Sequence, residues 1–137
     1  ENSIYIRIYI WQDDYTGKMI AEHLINAAKR GVNIFIIADG YASRSLPENF
    51  VHSLSSNNIQ FRLFEPFLRS SNFYFGRRMH DKVIVIDEQT ALVGGINFAN
   101  RYNDVDEQPA WLDFAIEVKG ETAFELFQYC FKEWNKN

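Results

Sequence analysis

The 137-residue chain is short of the residues that hold small folds together covalently or through metal. Its single cysteine, Cys130, excludes an internal disulfide and a cysteine-rich zinc site. That cysteine falls on the apolar face of a helical pattern and reads as a small core residue. No apolar run approaches the roughly 20 residues that cross a bilayer. Basic residues are not in excess: 14 Lys and Arg stand against 18 Asp and Glu, a net charge of −4. A domain that coats itself with nucleic acid is normally basic, so any anion site here must be a local patch. Low-complexity segments, internal repeats and linker-like stretches are missing too, which leaves one domain over residues 1–137. The opening Glu1-Asn2-Ser3 carries neither an initiator Met nor a signal peptide, and reads as the start of an excised piece or a processed product.

What is present is core material. Apolar residues make up 47% of the chain and aromatics 16%, enough for a globular domain. Ile4 to Trp11 alternates Ile with Tyr and Arg and reads as a strand. Thr16 to Arg30 repeats apolar residues at helical spacing, and Gly31 stops it. Val32 to Ala38 is almost wholly apolar, the pattern of a strand buried on both sides. Pro47 opens a second helix to about Ser55, and Ile59 to Phe64 is a third strand. Trp111 to Val118 alternates again, with Leu112, Phe114, Ile116 and Val118 on one side. Glu121 to Trp134 closes the chain as an amphipathic helix, with Phe124, Phe127, Phe131 and Trp134 on its inner face. Strand–helix–strand–helix–strand implies parallel pairing with right-handed crossovers. The expected fold is α/β, a mixed, largely parallel β-sheet sandwiched between helices.

Chemistry concentrates in residues 80–97. Lys82 to Asp87 and Thr90 to Val93 form an apolar hairpin, with Glu88-Gln89 as its turn. His80 and Lys82 are two apart, so on an extended strand they share a face. A nucleophile or proton shuttle then sits beside a fixed positive charge, a pairing suited to attack on a phosphate. If Asp87 pairs with Thr90, His80 falls opposite Asn97 and Lys82 opposite Gly95, at about 4.5–5.5 Å between Cβ atoms. Gly94 and Gly95 leave room for a ligand beside the backbone. The same register carries Asp87 about 20 Å from His80. Its expected task is to bond turn amides.

His80, Lys82, Asp87, Gly94, Gly95 and Asn97 at this spacing closely resemble the H-x-K signature of the phospholipase D superfamily. The resemblance extends through Asp14-x-x-Gly17, Ala28-Lys29-Arg30-Gly31-Val32, Asp39-Gly40-Tyr41, Phe75-x-Arg77-Arg78-Met79-His80 and Trp111-x-Asp113. That combination is most similar to the first catalytic half of bacterial cardiolipin synthases. Ile96 stands where many members carry Ser or Thr, which removes one hydroxyl donor. Asp81 stands between the His and the Lys, and alternation turns it to the other face.

The resemblance implies a covalent phosphohistidine on His80, with Lys82 and Asn97 on the phosphoryl oxygens. Asp113 matches the carboxylate expected to hold the second imidazole nitrogen. The positive charge comes from Lys82, so no metal or other cofactor is implied. Two such motifs form one active site in this superfamily. His23 and His52 lie within helices and do not supply the second. The chain must therefore pair with its own copy across a two-fold axis, or with a second half in the same polypeptide. The implied substrate is an anionic, phosphatidylglycerol-like phospholipid, handled at the cytoplasmic face of the bacterial inner membrane. Two alternatives stand beside this. One is a homodimeric phosphodiesterase or endonuclease acting on nucleic acid. The other is an isolated half that only binds phosphate. Residues 66–79 mix aromatics with Arg69, Arg77 and Arg78, which suits a lipid headgroup at a membrane surface or a nucleic-acid backbone. Asp39, at the end of a buried strand, is placed to line the substrate cleft.

Overall fold

The computed structural model describes residues 2–65, 78–105 and 107–136. Six strands form one sheet: β1 (Ser3–Ile8), β2 (Asn33–Asp39), β3 (Gln60–Phe64), β4 (Lys82–Ile86), β5 (Thr90–Gly94) and β6 (Ala115–Lys119). The helices are α1 (Tyr15–Lys29), α2 (Glu48–Ser55) and α3 (Glu121–Trp134). Strand order is β3-β2-β1-β4-β5-β6. The β1–β2 and β2–β3 pairs are parallel; β1–β4, β4–β5 and β5–β6 are antiparallel. The sheet is thus mixed α/β as expected. Its parallel character is confined to the three strands joined by α1 and α2, the helices that make the crossovers.

The two faces of the sheet bury different sets. Ile4, Ile6, Ile8, Ile34, Ile36 and Ala38 meet Ala21, Leu24 and Ala27 of α1 and Phe50 and Leu54 of α2. Each fully buried aliphatic side chain contributes about 1.5–3 kcal/mol. On the other face Tyr5, Val83, Val85 and Ala91 meet Ala123 and Cys130 of α3. Burial pushes the Cys130 thiol up to about 12, so it is an inert core group. Of the expected inner face of α3, Phe127 and Trp134 pack on this cluster, whereas Phe124 and Phe131 sit at its margin, partly exposed, with the Phe131 ring edge-on to Tyr5.

Local signals place the ends of α1. The Asp14 carboxylate caps it by accepting from the Gly17 N–H at 2.9 Å, a contact usually worth about 1 kcal/mol. Its other oxygen accepts from the Asn100 N–H, while Asn100 Oδ1 accepts from the Thr16 N–H. The start of the helix is thereby tied to the segment after the hairpin. Gly31, at φ +93°, ends the helix in a conformation that glycine adopts without cost.

Two expectations need correction. The hairpin pairs Ile86 with Thr90, not Asp87 with Thr90. Its loop is Asp87-Glu88-Gln89, with Asp87 and Glu88 at φ 51° and 62°. Three-residue loops of this kind shift the register by one relative to a two-residue turn. The final alternating strand is also shorter than its pattern. β6 begins only at Ala115, and Leu112, Phe114 and Ile116 are 88%, 72% and 62% exposed.

Candidate active site

The corrected register sets Lys82 level with Gly94 and His80 level with Ile96. His80 itself is exposed, just ahead of β4, while Lys82 is buried at its first position. The Lys82 ammonium donates to the His80 carbonyl at 2.9 Å and lies 3.3 Å from each imidazole nitrogen. Equal distances leave it midway between the two nitrogens, committed to neither. Burial lowers the Lys82 pKa, and the nearby Asp113 and Asp81 charges oppose that shift. Arginines 69 and 77 lie outside the described residues; Arg78 is exposed, two positions before His80.

The two glycines are explained by what crosses them. A Cβ on Gly94 would overlap the Phe114 carbonyl, and one on Gly95 would overlap the Asp113 carboxylate. The Gly95 N–H donates to the Phe114 carbonyl at 2.9 Å. The pair therefore brings the backbone of residues 113–115 flush against the hairpin, and Asp113 to the site. Among the described residues the Asp113 carboxylate accepts from the Phe114 N–H at 2.7 Å; its expected bond to the His80 ring is not among the contacts formed.

Asn97 is 3% exposed and its amide is fully engaged. Oδ1 accepts from the Ile10 N–H at 2.9 Å, and Nδ2 donates to the Tyr102 hydroxyl at 2.8 Å and the Gly95 carbonyl at 3.3 Å. In this state it fastens the end of β1 to the end of the hairpin, and has no donor left for a phosphoryl oxygen. Asp39, expected at the cleft wall, is 1% exposed. Its Oδ1 accepts from the Tyr41 and Ala42 N–H groups, and its Oδ2 from the Met79 N–H at 2.8 Å. A carboxylate so enclosed does not face a ligand. It clamps the residue before His80 instead. Asp87 accepts from the Asn2 and Ser3 N–H groups at the start of β1, rather than from its own turn. Those two donors hold its carboxyl below the usual range.

Three features escaped the sequence pattern. Asp81 turns away from the His80 face as alternation requires. There its Oδ2 accepts from Arg7 Nε at 2.8 Å and from the Tyr129 hydroxyl at 2.7 Å. Burial and that bond to Asp81 push Tyr129 up to about 12. Tyr9 packs its ring on the His80 imidazole, with centroids 4.4 Å apart. An apolar groove of about 170 Å³ opens beside Lys82, lined by Ile8, Ile84, Leu92, Gly94 and Ile96. Nothing in a run of single residues announces either of these last two, since both depend on how the chain ends bend around the sheet. Among the described residues, no group of three or more His, Cys, Asp or Glu side chains is placed to hold a metal ion.

Sheet order, hairpin and the histidine–lysine contact together define the class: a phospholipase D-like domain. Comparison with known proteins narrows it. Residues 1–133 match the profile of the family described as "Cardiolipin synthase, PLD-like domain", and the chain belongs to that family. Cardiolipin synthase B of Shigella flexneri is 32% identical over 133 residues, which cover 94% of this chain and 32% of that protein. The chain spans about a third of the length of the curated relatives it matches. Among solved structures, NucT from Helicobacter pylori matches with a TM-score of 0.73 at 22% identity, covering 96% of this chain and 78% of that one. Phosphatidylserine synthase from Haemophilus influenzae Rd KW20 matches with a TM-score of 0.76 at 17% identity, covering 98% and 32%. At those identities the structural matches speak for the fold alone.

Proposed function

We propose that this domain is one lobe of a cardiolipin synthase-type phosphatidyltransferase working on an anionic, phosphatidylglycerol-like lipid at the cytoplasmic face of the bacterial inner membrane. A ring nitrogen of His80 attacks phosphorus, and the P–N bond forms as the bond to the leaving glycerol oxygen breaks. The leaving oxygen takes a proton from the histidine of a second lobe. The hydroxyl of a second lipid then gives that histidine a proton, attacks phosphorus and breaks the P–N bond. Lys82 meets the negative charge that develops on the phosphoryl oxygens, and water exclusion around it strengthens that contact. Asp113 acts through its charge, which favours the ammonium form of Lys82. Arg78, with Arg69 and Arg77 from the neighbouring segment, meets the headgroup.

The observation that carries this reading is the exposed His80 imidazole 3.3 Å from a buried lysine ammonium. Similarity to cardiolipin synthase B over nearly the whole chain supports the substrate class. The side chains of Leu112, Phe114 and Ile116, apolar in sequence and exposed in this chain, are where the second lobe would seat. Among the described residues no helix is long and apolar enough to cross a membrane. Membrane contact in this proposal is therefore made by the surface, or by parts beyond this domain.

In the full-length enzyme, His80→Ala is expected to abolish phosphatidyl transfer between phosphatidylglycerol molecules while leaving circular dichroism unchanged. Undiminished cardiolipin output from that variant would remove His80 as the nucleophile. A second reading, a homodimeric phosphodiesterase or endonuclease, draws on the size of NucT, of which this chain covers 78%. Light scattering over a concentration series separates the two. A tight dimer of this chain that cleaves nucleic-acid diesters favours the second; a monomer without turnover favours the first.

A further inference from the structure

The residue that contacts both members of the His80–Lys82 pair is one that the phosphoryl-transfer scheme leaves unused. We infer that Tyr9 is a positioning residue: its ring is a platform that holds the His80 imidazole in the rotamer from which it attacks.

The geometry of the ring is the first support. Its centroid lies 4.4 Å from that of the imidazole, at an interplanar angle of 53°, and 4.8 Å from the Lys82 ammonium. The imidazole is thus cornered between an aromatic face and a cation. The same ring face attracts the ammonium through its quadrupole, so the two side chains are held relative to each other by a third. An exposed histidine without such a wall would sample several staggered rotamers.

The second support is how Tyr9 itself is fixed. Strand alternation along β1 would send it to the α3 side with Tyr5 and Arg7, which meet α3 and Asp81. The chain bends at Tyr9, directly after β1, and the ring turns over to the His80 side. The bend is built in. The Tyr9 carbonyl accepts from the Ser43 hydroxyl at 3.2 Å, and that hydroxyl accepts from the Trp11 N–H at 3.0 Å. Between them, the Ile10 N–H donates to Asn97. Three consecutive residues are thus anchored from two different loops, and those hydrogen bonds offset the entropy of ordering a half-buried bend.

This inference rests on the phosphoryl-transfer reading for its consequence, but its test separates the two. In the 137-residue chain, nuclear Overhauser contacts between the Tyr9 ring and the His80 imidazole are expected. In Tyr9→Leu the side-chain relaxation of His80 is expected to show rotamer averaging; in Tyr9→Phe it is expected to stay as in wild type. In the full-length enzyme, Tyr9→Leu should lower kcat about tenfold with KM little changed, a loss of about 1.4 kcal/mol of transition-state stabilisation. Tyr9→Phe should stay within about twofold. Absence of the Overhauser contacts, or an unchanged His80 relaxation in Tyr9→Leu, would overturn the inference whatever the enzyme does. Equal losses in the Leu and Phe variants would overturn it too, by moving the effect from the ring to the hydroxyl or the fold. If the full-length enzyme transfers no phosphatidyl group at all, the substrate reading fails, and the relaxation data still decide the role of Tyr9.

Discussion

The two halves of the sheet are finished differently. Around β3, β2 and β1 the α1–α2 face is closed: Ile34, Ile36, Trp11 and Leu54 are fully buried. Among the described residues no helix covers that face over β5 and β6, and the groove beside Lys82 opens there. On the opposite, α3 side of the same edge, Ile116 pairs with Val93, and it and the preceding Leu112 and Phe114 are apolar and solvent-facing. Both halves have a strand-like apolar pattern, yet only one finds its cover within the described residues. The closed half holds the larger buried cluster, and the open half, backed by α3 on its other face, holds the proposed chemistry and the proposed seat of a second lobe.

That division can be broken or sharpened by substitution. The largest expected effect on stability lies in the closed half. Trp11→Ala removes a ring that packs edge-on against Phe50, Phe61 and Phe98 and donates to the Gly17 carbonyl. It should cost about 3–5 kcal/mol in urea titration; a loss under 1 kcal/mol would mean the core sits elsewhere. In the open half, Phe114→Ser with Ile116→Ser should leave the stability of this chain within about 0.5 kcal/mol. The same pair in the full-length enzyme should remove most phosphatidyl transfer, measured with labelled phosphatidylglycerol. A large stability loss in the isolated chain would erase the contrast between the halves.

A smaller effect is electrostatic. Asp113 and Asp81 oppose the burial that lowers the Lys82 pKa. Asp113→Asn removes one of those charges, so Lys82 loses its proton at a lower pH. The alkaline limb of kcat/KM should move down, and an unmoved limb would detach Asp113 from Lys82. The smallest effect belongs to Asp87, at the far end of β4. Its folded carboxyl lies below the ordinary range because of the Ser3 and Asn2 N–H groups. Its contribution is therefore present above the unfolded carboxyl value and is lost as pH falls through the folded one. Asp87→Ala should cost less than about 1 kcal/mol at neutral pH, screened by solvent, and flatten that acid dependence in thermal melts.

Much of this was legible in the residues. The predicted spans of α1, β2 and α3 lie within a residue or two of those observed, since caps, apolar runs and helical spacing agree there. His80 and Lys82 share a site because period-2 alternation is a local property. The hairpin register slipped by one because two non-glycine residues, Asp87 and Glu88, take left-handed backbone to make a three-residue loop. Asp39 and Asn97 read as ligand contacts because their burial depends on how loops fold back over strand ends. Tyr9 was hidden by the opposite failure: a regular alternation, read as running to Trp11, that ends three residues sooner at Ile8. Ile116 of β6, with Leu112 and Phe114 before it, is the instructive case: the pattern predicts a covered face, yet of that alternating set only Val118 packs on the α3 cluster among the described residues.

The fit of Gly95 beneath the Asp113 carboxylate also bears on how the site can be moved or changed. Positions 95 and 113 occupy a single volume, so neither can be edited as though the other were free. A graft of the His80–Asn97 hairpin into a foreign sheet would have to carry residues 113–115 with it. A drifting lineage that gained a side chain at 95 would have to displace the residue at 113 before the hairpin could close again.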